Sequence, residues 1–187
     1  MNMTPGTPET GRLAFRNATP ADVDAIVALV ESAYRGDASR AGWTTEADLL
    51  DGRRTGADDV VACIERPRST ILLAERDADD RELLACAHVA DDGGAGYFGM
   101  FSVRPTLQGG GIGKRLLEHA ERYVREHWSL PVMRMTVIDV RDELIAFYER
   151  RGYRRTGIVK PFPYGDERFG LPRRDDLRFE VLEKPLG

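Results

Sequence analysis

Cysteine, histidine and long apolar runs are all scarce in this chain, and each scarcity removes a class of protein. Its 187 residues include two cysteines, Cys63 and Cys86, both in apolar surroundings. Two thiols so placed make no disulfide framework and predict buried, reduced cysteines in a cytoplasmic protein. The three histidines, His88, His119 and His127, stand at no ligand spacing with a cysteine or a carboxylate cluster, so no metal site is expected. No run approaches the ~20 apolar residues of a membrane-spanning helix, and no membrane partner is expected. Segment 1–11 holds Thr, Pro, Gly and Glu without an apolar core, which predicts a disordered tail and not a signal peptide. Positive charge is not in excess either. A formal net charge of −4 argues against nucleic acid, which proteins usually meet with a basic face. With 42% hydrophobic and 31% charged residues, the remainder, 12–187, is expected to form a single domain with an ordinary buried core.

Glycine, in contrast, is concentrated. Gly109, Gly110, Gly111 and Gly113 fill four of five consecutive positions. They follow an apolar, aromatic run, 97–103, that reads as a buried strand. They precede Ile112, Leu116, Leu117, Ala120, Tyr123 and Val124, whose spacing predicts a helix from 111–113 to about 127. Glycines at a strand-to-helix junction let the backbone take left-handed conformations and let a ligand approach where a Cβ would stand. A helix start adds unpaired N–H donors and a partial positive charge. Together these make an anion site, most naturally for phosphate. Two common phosphate loops are excluded by residue. Gln108 occupies the first glycine position of a P-loop and Arg115 its Ser/Thr position, and Leu116 stands where a dinucleotide fingerprint needs a third glycine.

Elsewhere the periodicity predicts a strand at 13–16, a helix from Thr19-Pro20 to about 35, and a loop at 36–42. A second helix is expected to open at Thr44-Thr45-Glu46 and carry Leu49 and Leu50, and a third to span 57–66. Strands are predicted at 69–76, 82–90, 131–139, 154–160 and 177–182, a helix at 140–150, and a long loop at 161–176.

The pattern Gln-x-x-Gly-x-Gly at Gln108, Gly111 and Gly113, with Val103, Arg104 and Pro105 before it, resembles the acetyl-CoA-binding motif of the GNAT acetyltransferase superfamily. The stretch Asp139 to Tyr153, with Phe147-Tyr148 ahead of Arg150-Arg151-Gly152-Tyr153, resembles a second family segment. The resemblance spans nearly all the chain beyond the tail. It implies a mixed α/β fold, with a mostly antiparallel twisted sheet of about seven strands and helices on both faces. It implies acetyl-CoA as co-substrate without a metal, and transfer of acetyl to a small-molecule or peptide amine by direct attack.

Residue by residue, the resemblance makes Tyr148 the general acid toward the CoA thiolate. The backbone N–H of Phe101 would face the thioester carbonyl, and Val103 would pair with the pantetheine amides. The cofactor segment would comprise Gln108, Gly109, Gly110, Gly111, Ile112, Gly113 and Lys114. Arg141 stands where many members carry an Asn that contacts the cofactor. Tyr97 stands where some carry a glutamate base, so a water relay through Glu75 or His88 is expected, although His88 also reads as a satisfied core histidine. Glu46 would border the acceptor cleft or lie in a solvated first turn. In the loop 161–176, Tyr164 and Asp166 are expected to wall the acceptor end, together with Phe162, Glu167 and Phe169; the same loop also fits a homodimer contact. A CoA-binding sensor or structural domain without turnover is the competing function.

Overall fold

Ser69–Arg76 is buried along almost its whole length and on both faces, and the rest of the chain is arranged to cover it. In the computed structural model, which describes residues 11–187, the elements follow in the order β1 (Leu13–Asn17), α1 (Val23–Tyr34), β2 (Leu50–Asp51), α2 (Ala57–Glu65), β3 (Ser69–Arg76), β4 (Leu83–Asp91), β5 (Gly96–Val103), α3 (Ile112–Trp128), β6 (Val132–Ile138), α4 (Asp142–Glu149), β7 (Arg154–Pro161), β8 (Leu171–Pro172) and β9 (Arg178–Pro185). The tail expected at 1–11 lies outside the described residues, apart from Gly11.

Seven strands form one sheet in the order β1-β3-β4-β5-β6-β9-β7, and β2 pairs with β8 apart from it. Alternate residues of β3 serve opposite layers. Ile71 and Leu73 join Cys86, Ile26, Val30 and Val60 beneath α1 and α2. Leu72 and Ala74 join Ala85, Ala87, Leu116, Leu117 and Ala120 beneath α3. The mixed α/β architecture with a mostly antiparallel seven-stranded sheet is thus the one expected.

One pairing breaks the antiparallel rule. β5 and β6 run parallel, in register only at Gly96↔Met133 and Tyr97↔Arg134. Beyond Tyr97 the two strands part. The cause lies on the other side of β5, where the register with β4 shifts between Cys86 and His88. Ala87 there faces two residues, Met100 and Phe101, and Met100 takes the left-handed conformation at φ 52°. Such a bulge bends its strand, here away from β6. The gap between β5 and β6 is a cleft.

Two expectations are corrected. Residues 44–50 form turns and not a helix, and Leu50–Asp51 pairs with Leu171–Pro172. Local side chains compete with helical bonding there: the Thr45 hydroxyl accepts the Ala47 N–H at 3.1 Å and meets Ser39 Oγ at 2.5 Å. The segment 161–176 is correspondingly more ordered than a loop, with a helical turn at Glu167–Phe169 and the β8 bridge.

Candidate active site

The cleft holds two hollows that meet at Phe101. One, of about 260 Å³, is lined by Trp43, Val103, Gln108, Gly109, Gly111, Gly113, Lys114, Phe147, Arg150 and Arg151, with Phe101 at its inner end. The other, of about 200 Å³, lies in the β5–β6 gap and reaches from Phe101 and Tyr148 to a group of buried charges.

The glycine loop shapes the first hollow. Gly109 and Gly111 are left-handed at φ 89° and 86°, and a Cβ on either would project into open space. Gly111 is also the N-cap of α3, with no side-chain cap, so the first N–H groups of the helix start beside this open space without intrahelical partners. Gly113 serves packing: a Cβ there would lie 2.9 Å from the Phe101 ring. Lys114, Arg150 and Arg151 supply positive charge along this wall. These features suit an extended phosphorylated ligand such as CoA.

Several residues in this segment face elsewhere. The Ile112 side chain is core, which leaves only its backbone for a ligand. The Gln108 side chain is engaged within the protein. Its amide nitrogen donates to Thr44 Oγ1 at 2.7 Å and to the Val103 carbonyl at 3.1 Å, and its oxygen accepts the Thr44 N–H at 3.1 Å. Gln108 therefore stitches the 42–44 loop onto the end of β5.

In the second hollow, Phe101 and Met100 have no register partner on β4, and the Phe101 carbonyl accepts from the Tyr34 hydroxyl. Tyr148 is 4% exposed, with its ring among Phe98, Phe101, Phe147 and Tyr153. Burial pushes its phenol well above the ordinary value, and the neighbouring Tyr34 adds to this. Tyr148 is thus fully protonated at neutral pH and able to donate. Tyr97 also lines this hollow, and burial raises its phenol too, so it is no base at pH 7.

The charges at the far end are Arg35, Glu46, Arg54 and Arg141. Glu46 is 5% exposed and is shared by two guanidiniums, Arg35 and, at 3.0 Å, Arg141. Burial alone would raise the Glu46 carboxyl; Arg141, Arg54 and Arg35 override it and hold it below its ordinary range. Arg141 also donates to the Thr44 carbonyl. Arg54 and Arg141 stand 5.4 and 5.5 Å from the centre of the Tyr34 ring, within cation–π range.

This arrangement corrects several sequence expectations. Glu46 is neither solvated nor the start of a helix; it is a buried counter-ion. Arg141, at the position where many family members carry a cofactor-contacting Asn, lines the second hollow and is held by Glu46. Tyr164 and Asp166 are set apart from both hollows. The Tyr164 hydroxyl donates to the Arg174 carbonyl and accepts the Leu177 N–H, while Asp166 is paired with Arg168 on the surface. Phe162 and Phe169 of the same segment do reach the second hollow. Neither relay residue lines it. Glu75 is held by Arg16 at 2.7 Å. His88 Nε2 bonds Ser69 Oγ at 2.8 Å, and that hydroxyl donates to the Cys63 carbonyl at 2.7 Å, so Nε2 must carry the imidazole proton. Sequence reasoning missed Tyr34, Arg35 and Arg54 in one hollow and Trp43, Arg150 and Arg151 in the other. Only the pair Arg150-Arg151, beside the quoted Tyr148 segment, carried a local signal.

The chain matches the family model described as Acetyltransferase (GNAT) family over residues 27–153. It is 30% identical over 169 residues, covering 87% of this chain and 92% of the relative, to a protein of Azospirillum brasilense named IAA acetyltransferase. Among solved structures, the Escherichia coli ribosomal-protein-S18-alanine N-acetyltransferase superposes with a TM-score of 0.67 at 13% identity, over 94% of this chain and 95% of that one. A Bacillus anthracis protein solved in complex with acetyl coenzyme A superposes with a TM-score of 0.55 at 16% identity, over 67% of each chain.

Proposed function

The chain belongs to the GNAT family of acetyltransferases, and from that premise we propose that it moves the acetyl group of acetyl-CoA directly onto a primary amine of a small molecule. The observation that carries this reading is the position of Phe101. It is the junction of the glycine-walled hollow and the hollow that holds Tyr148, so a ligand seated on the glycine loop reaches the proton donor by passing along β5.

Bound acetyl-CoA supplies a thioester, whose carbonyl carbon is the electrophile. The protein's own groups do the rest. Because β6 leaves after Tyr97, the edge of β5 from Phe98 to Val103 is not bonded to β6, and an extended amide-bearing arm can add to it as a strand would. The backbone N–H of Phe101 polarises the carbonyl. Tyr148 gives its proton to the departing thiolate, whose free pKa of about 8.5 makes it a fair leaving group, and the proton that the attacking nitrogen sheds as the C–N bond forms and the C–S bond breaks restores the phenol. The harder requirement is a neutral nucleophile. An amine of pKa ~10.4 is deprotonated at pH 7 at a cost of about 4.6 kcal/mol. Three guanidiniums facing one carboxylate lower that pKa electrostatically, and holding the amine beside the thioester supplies several kcal/mol more. The small-molecule part of the reading is supported by size: about 200 Å³ is below the ~300–1,000 Å³ of sites that take drug-sized ligands.

The test is thiol release from acetyl-CoA against a panel of amines, with the N-acetylated product identified by mass spectrometry. Release that needs the amine, with stoichiometric product, is expected. Binding of acetyl-CoA without amine-dependent release would instead make the chain a CoA sensor.

A further inference from the structure

The geometry points to an acceptor that carries its own oxyanion: a small amino acid with an apolar body, whose carboxylate pairs with Arg54. This rests on the amine-acetylating reading above and names the substrate class for that same hollow.

Three guanidiniums, Arg35, Arg54 and Arg141, line the hollow against one carboxylate, Glu46. Two of the three are already spent. Arg35 is paired with Glu46 and lies 3.5 Å from the Phe169 carbonyl, and Arg141 is held by Glu46 and the Thr44 carbonyl. The Arg54 guanidinium has neither a hydrogen bond nor an ion pair among the described residues; its neighbour is the face of Tyr34. Its backbone, in contrast, is fixed. The Glu31 carboxylate accepts the N–H groups of Arg54 at 2.5 Å and Thr55 at 2.8 Å, which anchors this turn to α1 and aims the side chain at the cleft. A cation that lines a small hollow, on an anchored turn and with no carboxylate in hydrogen-bond contact, is a site for an anion.

The charge balance excludes the opposite choice. An alkylammonium without an acidic group would meet more positive than negative charge and no free carboxylate in the hollow, since Glu46 is committed to two arginines. An amino acid resolves both needs, because its carboxylate offsets Arg54 while the remaining positive field favours the neutral amine that must attack. The other lining, Leu50, Ile138, Phe162, Phe169 and Phe179, is apolar and suits a hydrocarbon or aromatic side chain.

The test compares apolar amino acids with their carboxamides and with the N-terminus of short peptides, for parent, Arg54→Met and Arg54→Lys. Acetylation is followed by thiol release, and binding to the CoA-loaded protein by calorimetry. A charged hydrogen-bonded pair lost in a desolvated site lowers affinity ~10- to 100-fold, so the parent should prefer acid over amide by that factor in kcat/KM and in Kd. Arg54→Met should bring that ratio to within ~3-fold of one, and Arg54→Lys should restore part of it through charge alone. Unaltered acetyl-CoA binding and melting would show both variants folded. Equal use of acid and amide by the parent, preference for peptides, or a ratio untouched in Arg54→Met overturns the assignment while leaving amine acetylation standing. If no amine is acetylated, the proposed function fails. The calorimetry then decides: Arg54-dependent binding of the acid upholds the anion site, and its absence removes it.

Discussion

Tyr148 shows how one residue's chemistry is set by burial. With its phenol held well above the ordinary value, it keeps its proton across the physiological range, as the proposed proton donor must. Tyr148→Phe keeps the ring among Phe98, Phe101 and Phe147 and removes the proton. Turnover should fall ~10- to 100-fold, at or below the low end for general acid catalysis because the thiolate leaves readily, while KM for acetyl-CoA stays near its parent value. Steady-state kinetics with chemistry rate-limiting check this; an unchanged kcat would leave Tyr148 a packing residue. His88 shows the opposite role for a titratable group. Burial, helped by nearby Arg66, pulls its imidazole down to about 4, so the folded protein holds it neutral, with Nε2–H on Ser69. Because the unfolded chain binds a proton near pH 6.5 and the folded one does not, stability falls with pH in that window. The loss should be about 2 kcal/mol between pH 7 and pH 5. Urea unfolding at several pH values should show this slope in the parent and a flatter one in His88→Gln.

Among elements, the glycine loop and α3 act as one unit. The left-handed Gly111 caps the helix and leaves open space beside its first N–H groups. Gly111→Asp strains a backbone at φ 86° and puts a negative charge where phosphates are to sit. Acetyl-CoA at 100 times Kd stabilises a protein by about 2.7 kcal/mol through mass action, and the resulting rise in melting temperature should vanish in Gly111→Asp. A variant that is stabilised as fully as the parent would show the site misplaced. The bulge in β5 belongs to the same scale. One extra residue at Met100–Phe101 turns the strand from β6, frees its edge and brings Phe101 between the two hollows.

At the scale of the whole molecule, the buried charges tie together parts of the chain that are far apart in sequence. Arg35 ends α1, Glu46 lies in the following turns, and Arg141 immediately precedes α4. Glu46→Gln would leave two buried guanidiniums without their shared carboxylate. Breaking a buried pair in this way costs ~3–5 kcal/mol, which for a chain of this size lowers the melting temperature by on the order of 10 °C. A thermal melt checks it, and a loss below ~1 kcal/mol would mean the pair is effectively solvated. The sign of the pH effect is also set: with Glu46 held below its ordinary range, its contribution is complete above about pH 4.5 and is lost as pH falls through the lower folded value.

The sequence by itself determined whatever is written in short range. The strand 97–103, the glycines 109–113 and the amphipathic helix after them were legible because a phosphate loop is continuous in the chain and its requirements are backbone ones. What only the tertiary structure decided is which side chains face one another across the cleft. Arg35, Glu46, Arg54 and Arg141 come from four separated segments, and the excess positive charge they create exists only once the β5–β6 gap brings them together. The same reason placed Tyr164 and Asp166 wrongly: 161–176 reads in sequence as one long loop, and only the fold shows that Phe162 and Phe169 line the second hollow while Tyr164 bonds the Arg174 carbonyl and Asp166 pairs with Arg168.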